Sequence, residues 1–323
     1  VRLPLVLAVA LVLTAPTSAQ GVFSGPPLDP YALPAADCTV DPAHVPTLAD
    51  LPAETQAQIA SARAAAAPLA TTEAARAAGY RPFAGTTPTM GQHWVSPRIS
   101  RAGVFDPERP SILLFAPVDG ESRLVGVSYS LRQQGRDPLP EGFDGDADVW
   151  HTHATPRGDG HVAMVHLWFD PALNGPFTDH NPFLGYRMAG LAPPPAERFA
   201  TPEGATRMRH LALALGEAAV PFTLIERAEA RAPALRDVLQ PYRDEILALV
   251  PALRGARDAG DWTAYDALAD EAIGHWAALR ADFADAAPDR LVDVYLDASS
   301  RTTGCNGHLG GAHDGGAHGH SDH

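Results

Sequence analysis

The stretch from Val149 to Phe169, VWHTHATPRGDGHVAMVHLWF, places four histidines within 21 residues. His151 and His153 are two apart, so on a strand their side chains leave the same face. Thr155 to Gly160 supply turn chemistry, and HVAMVHLWF reads as the returning strand of a hairpin. Neutral imidazole is the commonest protein ligand for zinc, copper and non-haem iron. The spacing therefore predicts a metal site built on a β-hairpin.

Hairpin register decides which histidines meet. Directly opposed residues of antiparallel strands share a face, and a one-residue slip reverses the assignment. If paired residue numbers sum to an odd value, His166 and Met164 join His151 and His153. If the sum is even, His161 joins them and His166 points away. Loop length does not choose between these. His166 is the expected ligand, because His161 abuts the turn, where water can solvate it.

His93, in MGQHWVSP, completes a ligand set of His93, His151, His153 and His166. Zinc takes four tetrahedral ligands in a structural site, or three plus water in a catalytic one. Met90 and Met164 keep copper open. Asp148, Asp179, His180 and Asn181 are candidates to orient the ligating rings from behind. Asp144, Asp146 and Asp148 form an acidic run that reads mostly as a solvated turn; it lacks the glycine and glutamate of a calcium loop. Trp94, Trp150 and Trp168 flank the candidate ligands and read as core. His44, His210 and His275 read as structural or solvated.

The elements that must position these residues follow from periodicity. Residues 51–79 are alanine-rich and helical, broken near Pro68, with Thr71 or Thr72 capping a second segment and Gly79 ending it. MGQHWVSP, SILLFAPV and RLVGVSYSL are short apolar runs between turns, and Asp119-Gly120 predicts a hairpin between the last two. FDPALNGPFTDHNPF is punctuated as a loop. From about residue 205 apolar residues recur at three and four, predicting three to five helices, with Pro241 interrupting one and Gly255 and Gly260 ending it. The expected class is α+β: a β-rich antiparallel sheet or barrel-like unit over about 80–182 with an N-terminal helix, then a helical region. The expected domain plan is a proline-rich arm at 20–50, a metal-binding domain at 51–189, a linker at 190–204, helices at 205–300 and a tail at 301–323.

Residues 1–19, with Arg2, an apolar run from Leu3 to Leu13 and small residues to Ala19, have the layout of a secretory signal peptide. The expected location is secreted or periplasmic, with no membrane span left after cleavage. In that setting Cys38 and Cys305 are expected to form a disulfide, contributing roughly 4–5 kcal/mol by loop entropy. The glycine-rich tail carries His308, His313, His318, His320 and His323, a compositional metal-binding signal. A net charge of −14 argues against nucleic acid and anionic membrane as partners and favours cations. All 24 basic residues are arginine, which excludes Schiff-base lysine chemistry and a Walker-type phosphate loop. There is no Gly-x-Ser-x-Gly elbow, His-Glu-x-x-His, Cys-x-x-Cys or dinucleotide fingerprint.

The ordered segments MGQHWVSP, FDPERPSILLF, RLVGVSYSL, DVWHTH and HLWFDPALNGPFTDHNP resemble a family of uncharacterised secreted bacterial proteins. That family shows the ordered motifs GxHW, FDPxxP, WHxH, HxW and NPxGxF…NP, and the resemblance covers roughly residues 70–183. It implies that His93, His151, His153, His166, Trp168 and Asn181 belong to one site, and it implies no activity. The cysteine that often follows the WHxH step in that family is missing here.

Three functions are compatible with these residues. One is a metal-binding protein, zinc or copper, with a capture or buffering role. The second is a metal-dependent hydrolase or oxidoreductase with an open coordination position. The third is a non-enzymatic envelope module with structural histidines.

Overall fold

A computed structural model describes residues 39–133, 139–145, 147–154, 161–287, 291–292 and 295–296. The expected signal peptide at 1–19, the expected Cys38–Cys305 disulfide, Asp146, residues 155–160 and the five tail histidines lie outside the described residues.

Among the described residues six strands run β1 (Arg81–Thr87), β2 (Gly91–Val95), β3 (Ile112–Val118), β4 (Glu121–Gln133), β5 (His151–Ala154) and β6 (His161–Trp168). They form one antiparallel sheet in the order β1-β2-β3-β4-β6-β5. β1 is not marked as a strand by the sequence pattern; it pairs with β2 as an edge. The β3–β4 hairpin turns at Asp119 and Gly120, both at positive φ, as a two-residue turn of that chemistry requires.

β5 and β6 pair His151 with Met164 and His153 with Val162, which is the odd register. His151, His153, Met164 and His166 therefore share a face, and His161 lies on the other. The same face can be followed across the sheet, because Ser128 opposes His166, Ile112 opposes Ser128 and Val95 opposes Ile112. His93, two residues from Val95, belongs to it too.

The opposite face buries Trp94, Leu113, Val127, Val165 and Leu167 against Ile59, Ala62 and Ala66 of helix α1 (Ala53–Ala66). Those three recur at helical spacing, and the two alanines let the helix sit close. A short helix α2 (Thr72–Ala77) follows, its N-terminus capped by the Thr71 hydroxyl accepting from the Ala74 amide. A single turn, α3 (Pro97–Ser100), leaves β2.

The histidine face is covered from the other side. Ile112, Leu114 and Trp168 pack with Leu184 and Met188 of α4 (Phe183–Met188). Behind it lie α5 (Pro202–Ala219), α6 (Thr223–Arg231), α7 (Pro233–Ala248), α8 (Val250–Ala259) and α9 (Trp262–Ala286). The chain is thus α+β, with its sheet between an N-terminal helical layer and a larger C-terminal one. By length and composition Pro202–Arg231 would pass for a membrane-crossing stretch. In the fold α5 is the central helix of this layer, buried from Met208 to Ala218.

Two expectations about the helices need correction. α7 runs through Pro241 without ending there, and the chain breaks instead between Ala248 and Val250, ahead of Pro251. Gly255 lies inside α8, and Gly260, at φ 69°, is the residue that ends it. The segment 190–204 buries Leu191 and Phe199 in the same core as Tyr186, α5, α8 and α9.

Candidate metal centre

His151, His166 and Asp179 each offer one donor atom, all within 4.8 Å of one another. His151 Nε2 lies 3.3 Å from Asp179 Oδ1, and His166 Nδ1 lies 3.0 Å from the same oxygen. Two donors held about 2.0–2.1 Å from a zinc ion at the tetrahedral angle are about 3.3 Å apart. The side chains are 6%, 0% and 4% exposed, so water does not solvate the cluster. Both ring nitrogens of His151, Nδ1 of His166 and Oδ1 of Asp179 have no hydrogen-bond partner. The close approaches are therefore not aligned hydrogen bonds. Buried polar atoms without partners are costly and uncommon in native interiors, and donors that approach without pointing at one another suit a shared ion. The chemistry fits as well, since two imidazoles and a carboxylate are a donor set for a divalent transition metal. This His/His/Asp group could hold a metal ion.

The third donor is delivered by the loop between β6 and α4. Trp168 donates its amide to Pro176 O (2.7 Å) and its indole N–H to Thr178 O (2.6 Å), fixing the returning chain beside β6. Asn181 donates its amide to Thr89 O (2.9 Å), and His180 Nδ1 lies 3.0 Å from Thr89 Oγ1. The β1–β2 turn thus holds the far end of the loop. Asp179, between these anchors, faces the histidine face of the sheet.

The other candidates occupy distinct places. His93 is not in the three-donor group; its Nε2 lies 3.4 Å from His166 Nε2 in hydrogen-bond alignment. His153 is exposed on the edge strand, its ring edge-on to His151 at 4.9 Å between centroids. Asp179, expected to act from behind a ligand, stands among the donors. Its neighbour His180 faces it, Nε2 to Oδ2 at 3.6 Å. Asp148 caps its own loop instead, accepting from the Phe143 amide and the Trp150 indole. Asn181 staples the loop, donating to Pro171 O and accepting from the Phe183 amide. Trp168 stacks beside His166, 5.9 Å between centroids. Met164, half-buried, is opposite His151 on the shared face. His210 is buried on α5 beside Trp276, and His275 pairs with Glu245, so both sit in the helical layer.

Electrostatics favour neutral imidazole at His93, His151 and His180 beside a charged carboxylate. Burial, with His166 and His153 nearby, lowers His93 to about 3. Burial likewise lowers His151 to about 3, against the opposing pull of Asp179. Burial alone would raise Asp179, but the facing His180, His166 and His151 hold it well below the ordinary carboxylate range. Metal ligation needs these protonation states, neutral imidazole and ionised carboxylate.

A pH dependence follows for the metal-free protein. Unfolded His151 takes up a proton below pH 6.5, whereas the folded ring does so only near 3. Its contribution to stability is therefore complete above pH 6.5 and declines as pH falls towards 3, by up to about 1.4 kcal/mol per pH unit. Urea unfolding of the wild type and of His151→Gln checks this. The stability gap between them should narrow from pH 7 to pH 4.5, and a constant gap would contradict the assignment.

No family model, no curated protein and no solved structure matches this chain.

Proposed function

We propose that the protein is a metal-binding protein that holds one divalent transition ion through His151, His166 and Asp179. The observation that carries this is the convergence of three buried donor atoms within 4.8 Å, four atoms of the same residues being without hydrogen-bond partners. The carboxylate oxygen favours zinc over a soft copper(I) site, for which Met90 and Met164 would argue. The composition of residues 1–19 supports placing the protein outside the cytoplasm, where such an ion would be acquired after export.

Three protein donors leave at least one coordination position for water or a small ligand, the arrangement of catalytic zinc. That observation favours a second reading, a metal-dependent hydrolase in which the ion lowers the pKa of its bound water. Capture and buffering suit the solvent-facing His153 and the tail histidines better than a centre so thoroughly buried.

Metal content of the protein lacking residues 306–323 tests the proposal. One equivalent of zinc is expected after dialysis, and none in His166→Gln. A tail-less protein that retains no ion from any of zinc, copper, iron or manganese would return the histidines to a purely structural role.

A further inference from the structure

An imidazole ring can present a lone pair from one nitrogen only while the other carries the hydrogen, and the partner of the second nitrogen decides which. His166 is engaged at both ends. Its Nδ1 lies 3.0 Å from Asp179 Oδ1 within the donor cluster, and its Nε2 lies 3.4 Å from His93 Nε2. The two ends differ in alignment. The His93 contact has hydrogen-bond geometry, whereas Nδ1 has no hydrogen-bond partner despite its close carboxylate.

We infer that His93 is a positioning residue: it accepts the Nε2 hydrogen of His166 and so presents the Nδ1 lone pair to the ion. The inference rests on the metal reading above and specifies how that site is kept ready. If His93 were instead the donor, Nδ1 of His166 would carry the hydrogen, and that hydrogen would stand where the ion belongs. His93 must then hold its own hydrogen on Nδ1, leaving Nε2 bare. Its place suits the task. It comes from β2, three strands from β6, and its register row runs through Leu114 of β3 and the side-chain-free Gly126 of β4 to Trp168, two residues along β6 from His166. At Gly126 an added Cβ would lie 2.7 Å from the Leu167 carbonyl, so the sheet tolerates no side chain there.

The test is a long-range 1H–15N spectrum of the full chain, labelled at histidine nitrogen and titrated with zinc. His166 signals are identified by their loss in His166→Gln, so the tail histidines do not interfere. The expected spectrum shows His166 protonated at Nε2 both before and after zinc, with Nδ1 shifting on binding. His93→Gln, whose amide oxygen can accept at the place of Nε2, should keep zinc affinity within about threefold, while His93→Leu should weaken it by about 10–100-fold, the usual cost of losing an orienting partner. Ligation of His166 through Nε2, or a His93→Leu protein that binds zinc like the wild type, would overturn the inference and leave the metal reading standing. Zinc that moves no His166 signal at all would remove both.

Discussion

Replacing Asp179 by asparagine should separate metal binding from folding. The substitution is nearly isosteric, but it removes the only carboxylate of the donor cluster and with it the negative charge that attracts the ion. Zinc affinity should fall by more than about a hundredfold, beyond what loss of an orienting partner costs. The metal-free variant should lose only modest stability, because asparagine keeps the shape and gives up the charge interactions with His180, His166 and His151 that hold the carboxylate ionised. The wild type should gain about 2.7 kcal/mol at zinc concentrations a hundredfold above Kd, and the variant almost nothing. Denaturant titrations with and without zinc give both numbers. A marked loss of stability in the metal-free variant, with unchanged zinc affinity, would make Asp179 a structural residue and end the proposal.

The second large effect belongs to the layer that covers the site. Gly185 of α4 crosses α5 so closely that an added Cβ would lie 1.9 Å from the Ala212 carbonyl oxygen and 2.7 Å from its carbon. Both are backbone atoms of a central helix, so neither can swing aside. Gly185→Ala should cost about 3 kcal/mol or more through forced separation of the helices. In a chain of 323 residues that corresponds to a drop in Tm of about 4 °C or more. The control is Gly274 on the exposed side of α9, where an added Cβ meets nothing within 4 Å. There the same substitution should stabilise by up to about 1 kcal/mol, as alanine does over glycine in an open helix. Opposite signs for the two substitutions are the expected result, and a stable Gly185→Ala protein would show that the helical layer is looser than its geometry. Since α4 follows directly on the loop bearing Asp179, displaced helices should also weaken zinc binding.

β2, β3 and β4 were legible as short apolar runs between turns, since a sheet covered on both faces buries most of its residues, and the hairpin was legible because turn chemistry lies between two such runs. The choice of His166 over His161 followed from one chemical consideration, that a histidine beside a turn can remain solvated, and the odd register agrees with it. Asp179 was visible only as a neighbour. It sits in a loop, where no periodicity tells which way a side chain faces, and its direction is set by anchors to Trp168 and Thr89 that are far apart in sequence. His153 shows the limit of face-sharing as an argument. It is on the right face, yet two residues further along an edge strand it faces solvent. His93 was placed at the site by composition, but only the atomic alignment distinguishes a ring that holds the ion from one that holds another ring. Pro241 misled for a general reason. Removing one amide weakens a helix but does not end it when tertiary packing, here Leu239 and Ile246 in the core, holds both flanks.

The anchoring of the 170–182 loop has a consequence for the order of events. One donor waits on that loop, whose position depends on the β1–β2 turn at one end and on docked α4 at the other. The hairpin alone therefore offers an ion only two imidazoles, and a half-assembled chain has no complete cage. An ion held here would bind after the layers have closed, and so would act as a latch on the finished protein rather than as a seed for its assembly. Its influence would fall on how slowly the native state opens, and very little on how fast it forms.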